Sequence, residues 1–295
     1  MENQKIKNLL IEYLTETSQE VRKIAEKGKG REIVGEVINR PEDVEVEIDR
    51  VGEKILEDLL KKHNLKAKIF SEPENRNIEN GRGDPGIYGS IDPFDGSVLF
   101  LRGFEHNWYT ALSFYNKKGK PICTGISDIL NEKFYITGEN GNYVLNMNGG
   151  QKKKIFPSRR KSLKEPIVLA SYLMSSHYSK KFLDIFGDLI KNMHPKALFY
   201  PQGGSFIYAY LASGLVNAYV MFDEPRSEID PGYPIAKMAG CSIVSVDSDG
   251  GYRDYEFIPG KQHDKVDLLI AATTPELRDI LIAHYVKKYA QMYSF

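Results

Sequence analysis

The fold of this chain is indicated most clearly by one short segment, residues 91–97, which reads IDPFDGS. Its first acid, Asp92, directly follows a strand-like apolar stretch, so we expect this side chain at the rigid end of a strand. Pro93 favours an extended backbone, and Gly96 permits a tight turn that exposes the amides after it. The second acid, Asp95, lies three residues beyond the first. Two carboxylates with this spacing can converge on one point across the turn.

The residue types of this turn suit a hard metal ion or a phosphate group. Mg²⁺ prefers oxygen ligands at about 2.0–2.1 Å in octahedral geometry, and two carboxylates with a backbone carbonyl supply such oxygens. The amides of Gly96 and Ser97 could instead bind a phosphate, as an anion nest does. A structural alternative is an Asx-type turn, in which both aspartates only accept hydrogen bonds from backbone amides. An EF-hand calcium loop is excluded, because it needs ligands at alternate positions.

The chain around this turn predicts an α+β first half with an antiparallel sheet. Apolar residues at helical spacing predict amphipathic helices over residues 6–26 and 51–60. The glycine-spaced, charged residues 28–45 between them predict a loop or a hairpin. Consecutive strand-like segments with short links, such as the Glu139–Asn142 turn, imply antiparallel pairing. These segments are residues 66–70, 87–91, 108–115, 122–129, 133–137 and 143–147.

The second half follows a different pattern, which predicts an α/β unit. The basic run at residues 151–164 is the best candidate boundary, and a solvated connector is its simplest interpretation. Beyond it, strand-like segments alternate with helical ones, which indicates a sheet covered by helices. We predict helices near residues 177–193 and 203–213, after Pro231 and from Pro275. The predicted domains are therefore residues 1–157 and 158–295.

Composition excludes several classes of protein. The 295 residues include 40 Lys and Arg and 40 Asp and Glu, so the formal net charge is zero, which argues against nucleic acid polymers or membranes as partners. Two cysteines are too few for a disulfide framework or a Cys-rich zinc site. The charged amino terminus lacks the apolar core of a signal peptide, and no apolar run reaches the ~18–20 residues that span a bilayer. We therefore expect a cytoplasmic protein.

Residues 91–97 resemble the Asp-Pro-(Ile/Leu)-Asp-Gly-(Thr/Ser) signature of the Mg²⁺-dependent, lithium-sensitive phosphatases, the inositol monophosphatase and fructose-1,6-bisphosphatase superfamily. Three further segments resemble the other motifs of this superfamily in the expected order: residues 46–54 (VEIDRVGEK), 69–72 (IFSE) and 228–240 (EIDPGYPIAKMAG). Together the motifs cover roughly residues 45–245. The resemblance implies a layered α/β/α/β/α sandwich, lithium sensitivity and a homodimer.

The resemblance also implies the residues of an active site with two or three Mg²⁺ ions. The metals would neutralise the phosphate, polarise its ester and acidify the water that attacks phosphorus. Three residues, Glu72 and the pair formed by Ser97 and Asp49, would orient and deprotonate this water. The implied metal ligands are Glu72, Asp92, the Phe94 carbonyl, Asp95 and Glu228. The implied phosphate-binding residues are Gly96, Ser97, Gly203, Gly204, Ser205 and Arg226.

Two of these assignments have alternatives. Asp49 could instead be the N-cap that opens the second helix. Near the carboxy-terminal motif, the bisphosphatase-like branch has its ligand twelve residues before the glycine that is Gly240 here, and that position is Glu228. Asp230 precedes Pro231 and therefore resembles an N-cap with proline at the first helical position. We assign Glu228 to the metal and Asp230 to capping.

The expected function is a Mg²⁺-dependent phosphomonoesterase for a small sugar or inositol phosphate, inositol-1-phosphate or fructose-1,6-bisphosphate or both. A 3′(2′),5′-bisphosphate nucleotidase on the same fold is an alternative, and a catalytically silent regulatory or binding protein is the alternative of another class. The retained acidic set argues against a silent protein. The dipeptide Val98-Leu99 replaces the Thr-Asn pair of the monophosphatase signature, and Met221 replaces its inositol-contacting Glu. These departures leave the substrate open.

Overall fold

The structure, a computed structural model, describes residues 2–36, 44–72, 77–138, 141–150, 152–247 and 249–293. The helices in these ranges are α1 (Glu2–Glu26), α2 (Glu47–Lys62), α3 (Ser97–Leu101), α4 (Ser176–Lys191), α5 (Ile207–Ala212), α6 (Arg226–Ile229), α7 (Tyr233–Ala239) and α8 (Pro275–Tyr293).

The strands in the described ranges are β1 (Ile33–Glu36), β2 (Val44–Val46), β3 (Ala67–Phe70), β4 (Ile78–Asn80), β5 (Ile87–Asp95), β6 (Tyr109–Asn116), β7 (Pro121–Asp128), β8 (Lys133–Gly138), β9 (Gly141–Asn146), β10 (Lys153–Lys154), β11 (Val168–Ala170), β12 (Leu198–Tyr200), β13 (Ala218–Pro225), β14 (Ser242–Val246), β15 (Tyr252–Asp254) and β16 (Lys265–Ala272).

The first half of the chain builds a sheet whose described strands have the order β10-β9-β8-β7-β6-β5-β3-β4. Strands β5 to β9 pair antiparallel with their sequence neighbours, which confirms the antiparallel sheet expected from the short links. The neighbouring strands β3 and β5 are parallel. Helices α1 and α2 cover one face of this sheet, and their buried leucines, Leu10 and Leu59 among them, share a core with Leu112 of β6.

The second half builds a sheet whose described strands have the order β12-β11-β13-β16-β14-β15. Strand β11 pairs parallel with β12 and β13, whereas β16 pairs antiparallel with β13 and β14. The predicted alternation of strands and helices is present, but the sheet is mixed. Pairing between strands distant in sequence decides this feature, and hydrophobic periodicity does not encode it.

The two sheets enclose a middle layer of helices. Residues of α5 and α7, including Tyr208 and Ile235, share one hydrophobic core with Tyr115 of the first sheet and Tyr219 of the second. Helices α4 and α8 cover the outer face of the second sheet, where Phe186 and Leu281 are buried. The order of layers is therefore α/β/α/β/α, as the resemblance implied. The division into domains at residue 157 stays a prediction.

The structure agrees with some local expectations and differs from others. The hairpin expected over residues 28–45 contains the antiparallel pair β1 and β2, while residues 37–43 lie outside the described ranges. The expected turn at residues 139–142 lies partly outside them. The helix expected at residues 203–213 begins only at Ile207. Among the described residues, no helix is both long enough and apolar enough to cross a membrane.

Candidate active site

The acidic turn lies where β5 leaves the first sheet. The pairing of β5 with β6 shifts register between Asp92 and Asp95, so a bulge separates the two carboxylates. Gly96 follows with a φ of +121°, a conformation that favours glycine. A Cβ atom at this position would also collide with the carbonyl oxygen of Asn107. Helix α3 then begins at Ser97. Local backbone chemistry therefore produces the turn that the sequence predicted.

Both halves of the chain contribute acids to one cavity beside this turn. Glu72, two residues after β3, and the two aspartates come from the first half, and Glu228 of α6 comes from the second. Backbone-rich segments complete the cavity around these side chains. They contribute Phe94, Gly96, Ser97, Gly203 and Gly204. The fold thus brings together residues that lie up to 156 positions apart in the sequence.

The charges of this cluster oppose one another. Burial, followed by the negative charges of Asp95 and Glu228, raises the pKa of Asp92 well above its ordinary value. Burial and the charge of Glu228 raise the pKa of Asp95 to about 7. The buried Oδ2 atom of Asp92 has no hydrogen-bond partner in the described structure. A cation near these oxygens would offset the repulsion between the carboxylates and would give the buried Asp92 oxygen a partner. The donor set therefore fits a hard metal ion.

The cluster is open rather than closed on one point. In the described ranges, no three His, Cys, Asp or Glu side chains are arranged as a complete metal-ligand set. The carboxylates line the cavity together, but in the described residues their oxygens do not converge on one point. The sequence-based expectation that Asp92 and Asp95 meet at one point is therefore met only in part.

Ser97 and Asp49 form a hydrogen-bonded pair at the edge of the cavity. The Ser97 hydroxyl lies 3.0 Å from Asp49 Oδ1 and 2.9 Å from the Phe94 carbonyl oxygen. A hydroxyl has one proton, so it donates to one of these acceptors at a time. Asp49 Oδ2 accepts the Val46 backbone N–H at 2.7 Å. Asp49 is thus the third residue of α2, where it both caps the helix and holds Ser97.

Ser205 contacts one of the predicted metal ligands. Its hydroxyl donates to Asp95 Oδ2 at 3.0 Å, and the Phe206 N–H donates to the same oxygen at 3.3 Å. Ser205 is fully buried, so its hydroxyl is directed to a carboxylate and not to the open cavity. The phosphate-binding role of Ser205 stays a prediction. Through these hydrogen bonds Ser205, in the second half of the chain, holds Asp95 of the first half in place.

Glu228 and Asp230 have separate surroundings. Glu228 lines the cavity, whereas Asp230 is buried elsewhere and its Oδ1 accepts the Tyr255 hydroxyl at 2.7 Å. The predicted capping role of Asp230 is wrong, because α7 begins at Tyr233 with Gly232 as its N-cap. Asp230 instead follows the last residue of the short helix α6. A helix of this length has too few residues to show a periodic pattern in the sequence.

Arg226 is also directed away from the cavity. Its guanidinium group donates to the carbonyl oxygen of Glu256 and lies over the ring of Tyr255, 4.5 Å from the centroid. The carboxylate of Asp230 is 3.8 Å away. Arg226 is only 8% exposed, so its positive charge is stabilised by these neighbours and not by solvent. In this structure Arg226 is not among the residues that line the cavity, and its phosphate-binding role stays a prediction.

Several residues that complete the cavity were not predicted from the sequence. They come from three places in the second half and from the segment before β6. No motif marks them, because their side chains meet only through the tertiary fold. They are Asn107, Tyr172, Met174, Tyr178, Gln202 and Glu224.

This layered fold with an acidic cavity between its two sheets defines a class of phosphatases. The chain belongs to the inositol monophosphatase family, whose model matches residues 2–289. It is therefore a phosphatase of this superfamily, and the family is generally Mg²⁺-dependent. No curated protein matches the chain by sequence.

Three solved structures show the same fold. An extragenic suppressor protein SuhB from Bartonella henselae is 17% identical with a TM-score of 0.73, and the alignment covers 96% of this chain and 98% of that one. An inositol monophosphatase–fructose 1,6-bisphosphatase is 24% identical with a TM-score of 0.70, covering 95% and 98%. An inositol monophosphatase from Thermotoga maritima is 18% identical with a TM-score of 0.68, covering 99% and 100%. Sequence identities this low are evidence for a shared fold only.

Proposed function

We propose that the protein is a Mg²⁺-dependent phosphomonoesterase that hydrolyses a small sugar or inositol phosphate. One observation carries this proposal: five carboxylates from both halves line a single cavity beside the hydrogen-bonded pair of Ser97 and Asp49. A structural ion-pair network would intersperse cations among such acids. Here burial and the neighbouring acids raise the pKa values of Asp92 and Asp95, which is the electrostatic state that divalent cations relieve.

The proposed metal ligands are four of the five cavity acids together with one backbone oxygen. When bound, Mg²⁺ would neutralise the phosphate and lower the pKa of a water molecule, so that hydroxide is available near neutral pH. Oxygen donors of this kind are the ones that Mg²⁺ prefers. We assign the site two or three ions and the ligands Glu72, Asp92, the Phe94 carbonyl, Asp95 and Glu228.

The chain itself would position the attacking water and the phosphate. The Ser97 hydroxyl, held by Asp49, lies where it can accept the proton of that water while passing its own to the carboxylate. Glu72, which lines the same cavity, would also orient this water. The amides of Gly96 and Ser97, with the turn at Gly203 and Gly204, would hold phosphate oxygens.

Several finer features belong to the same proposal. We propose inositol-1-phosphate, fructose-1,6-bisphosphate or both as substrates, a homodimeric assembly and a cytoplasmic location. Support for the substrates comes from the family and from the similarity to the second neighbour, an inositol monophosphatase–fructose 1,6-bisphosphatase.

The test is phosphate release from inositol-1-phosphate, fructose-1,6-bisphosphate and adenosine 3′,5′-bisphosphate, with Mg²⁺ and with EDTA. We expect hydrolysis of at least one ester with Mg²⁺ and background rates with EDTA. Asp92→Asn should abolish activity without loss of fold, whereas Asp58→Asn, the same change on the exposed face of α2, should leave it unchanged. No release from any ester would favour the silent binding protein, and full activity of Asp92→Asn would place the metal site elsewhere.

A further inference from the structure

Two side-chain amides from different halves of the chain meet in the cavity. Asn107 comes from the segment between α3 and β6, and Gln202 comes from the segment between β12 and α5. The Asn107 Nδ2 atom donates a hydrogen bond to Gln202 Oε1 at 3.1 Å. We call these two residues the amide pair. Neither belongs to a motif of the acidic cluster, and the chemistry proposed above gives them no role.

The hydrogen bond decides which group of Gln202 is left for a ligand. Its oxygen is taken by Asn107, whereas its Nε2 atom has no hydrogen-bond partner among the described residues. Gln202 is half-buried, and its nitrogen is not one of the unpartnered buried atoms in that part of the chain. The nitrogen is therefore accessible on a residue that lines the cavity. The opposite orientation would turn an amide oxygen towards the carboxylates.

The first member of the amide pair is held against the acidic turn. Asn107 has a φ of +56°, a left-handed conformation that asparagine tolerates better than most residues, and it is only 8% exposed. Its carbonyl oxygen lies so close to Gly96 that a Cβ atom there would be 2.0 Å away. Asn107 thus packs on the residue whose amide we assign to a phosphate oxygen.

The second member of the amide pair adjoins the other segment that we assign to phosphate. Gln202 directly precedes Gly203 and Gly204. A Cβ atom on Gly204 would lie 2.5 Å from Asp95 Oδ2, so this turn packs directly on a proposed metal ligand. The accessible N–H groups of Gln202 therefore lie beside the expected position of the phosphoryl group.

The charges of the cavity explain why a neutral donor suits this position. Every charged side chain that lines the cavity in the described part of the chain is a carboxylate, and among these lining residues only the amide pair has side-chain N–H groups. A phosphate oxygen that no metal ion binds needs such a donor. A lysine or arginine here would form ion pairs with the carboxylates and compete with metal ions for them. An amide donates a hydrogen bond without adding charge.

We propose that Gln202 binds a non-bridging oxygen of the phosphoryl group through Nε2, and that Asn107 is a positioning residue that holds this amide in orientation. The inference rests on the proposed function, because it names a further phosphate-binding residue of the same site. The same hydrogen bond can form with the bound ester and with the released phosphate. It should therefore contribute to KM and to phosphate affinity, and little to kcat.

The first experiment is a calorimetric titration of the protein with inorganic phosphate in saturating Mg²⁺. Gln202→Met keeps the length of the side chain and removes its N–H groups. We expect the Kd for phosphate to rise about tenfold or more, because a hydrogen bond to a charged oxygen is lost. Gln19→Met, the same change at an exposed position of α1, should leave the Kd unchanged. An unchanged Kd in Gln202→Met, or no binding of phosphate by the unaltered protein, would overturn the proposal.

The second experiment tests the positioning role by comparing Asn107→Gly with Asn64→Gly. Both asparagines have a positive φ, which glycine adopts without strain, and Asn64 lies at the end of α2. We expect Asn107→Gly to raise the Kd for phosphate about threefold, because the Gln202 amide loses its fixed orientation. Asn64→Gly should leave the Kd at its original value.

A double variant shows whether Asn107 acts through Gln202. Asn107→Gly combined with Gln202→Met should bind phosphate as weakly as Gln202→Met alone, since the group that Asn107 positions is already absent. Losses that multiply in the double variant would contradict the positioning role. Thermal melts of every variant identify any change in Kd that arises from a partly unfolded sample.

Kinetics separate a contact with the phosphoryl group from a contact with the leaving group. For the esters that the protein hydrolyses, Gln202→Met should raise every KM by a similar factor and leave kcat nearly unchanged. A KM that rises for one ester only, with phosphate affinity unchanged, would place the amide at the leaving group and overturn the proposal.

Failure of this inference can be told from failure of the proposed function. If no ester is hydrolysed but phosphate binds and Gln202→Met weakens it, the proposed function fails and the phosphate-binding role of Gln202 stands. If esters are hydrolysed and Gln202→Met binds phosphate normally, the phosphatase stands and only the role of Gln202 is wrong.

Discussion

The hydroxyl of Ser97 is the single atom that most directly links this structure to the proposed chemistry. It lies within hydrogen-bond distance of Asp49 and of the Phe94 carbonyl, next to the acids of the cavity. We expect Ser97→Ala to lower kcat about 10²-fold or more, because the proton acceptor for water is lost. Ser97→Thr keeps the hydroxyl and should retain most of the rate. Steady-state kinetics at saturating Mg²⁺ measure both, and an unimpaired Ser97→Ala would remove Ser97 from the mechanism.

Ser205 acts at the same scale but through another residue. It fixes Asp95 across the boundary between the two halves, so Ser205→Ala should loosen a predicted metal ligand. We expect the Mg²⁺ concentration for half-maximal rate to rise about tenfold, with the rate recovering at high Mg²⁺. Ser213→Ala is the control, because that hydroxyl bonds the Ala209 carbonyl of α5 and not the site. If the rate depends on Mg²⁺ concentration in the same way for both variants, Ser205 has no role in metal binding.

Residues near the acidic turn were predictable, and residues that depend on distant partners were not. Residues 91–97 carry their own turn chemistry, so the sequence alone indicated where Asp92 and Asp95 would lie. The positions of Ser205 and Arg226 depend instead on Asp95 and Tyr255, which are brought to them by tertiary packing. A local pattern contains no information about such partners, so neither contact could be predicted from the sequence.

At the scale of elements, the short helix α6 separates two acids that sequence reasoning had to choose between. Glu228 lies on the helix and lines the cavity, while Asp230 follows it and accepts a hydrogen bond from Tyr255. We expect Glu228→Gln to shift the Mg²⁺ dependence of the rate to higher concentration, because a charge that holds the metal is lost. Asp230→Asn should leave that curve nearly unchanged and cost about 1–3 kcal/mol of unfolding free energy.

Two measurements check this pair of variants. A Mg²⁺ titration of the rate reports metal affinity, and urea unfolding at saturating Mg²⁺ reports stability. A shifted titration for Asp230→Asn with an unshifted one for Glu228→Gln would exchange the two roles. The segment is clamped by hydrogen bonds from β6, since Ser113 donates to the Pro231 carbonyl and Tyr115 to that of Asp230. Its backbone should therefore hold its position in both variants.

The elements themselves were predictable in proportion to their length. Long amphipathic patterns predicted α1 and α2, and period-two runs with turn residues predicted most strands of the first sheet. The helices α3 and α6 were missed, because five and four residues are too few to display a helical period. The mixed second sheet was missed for another reason. Its register depends on β13 pairing with β16, about forty residues later in the sequence.

At the scale of the whole molecule, the cavity lies where the two halves meet, so its electrostatics are linked to global stability. Without metal, burial and the neighbouring acids raise the pKa of Asp95 to about 7 and that of Asp92 well above its ordinary value of 3.8. The folded state therefore binds more protons than the unfolded state at pH values between about 4 and 7. Stability must then fall as pH rises through this range.

Mg²⁺ should reverse much of this loss, because it replaces the protons on the same oxygens. We expect the Tm in EDTA to fall from pH 5 to pH 8, and the stabilisation by saturating Mg²⁺ to be larger at pH 8 than at pH 5. Asp230, whose pKa burial also raises to about 7, should keep part of the pH dependence in both conditions. Asp95→Asn should shrink the Mg²⁺ effect at pH 8 while Asp58→Asn leaves it intact. A Mg²⁺ effect that is equal at the two pH values, or larger at pH 5, would show that the acids of the cavity are not the groups that link metal binding to folding.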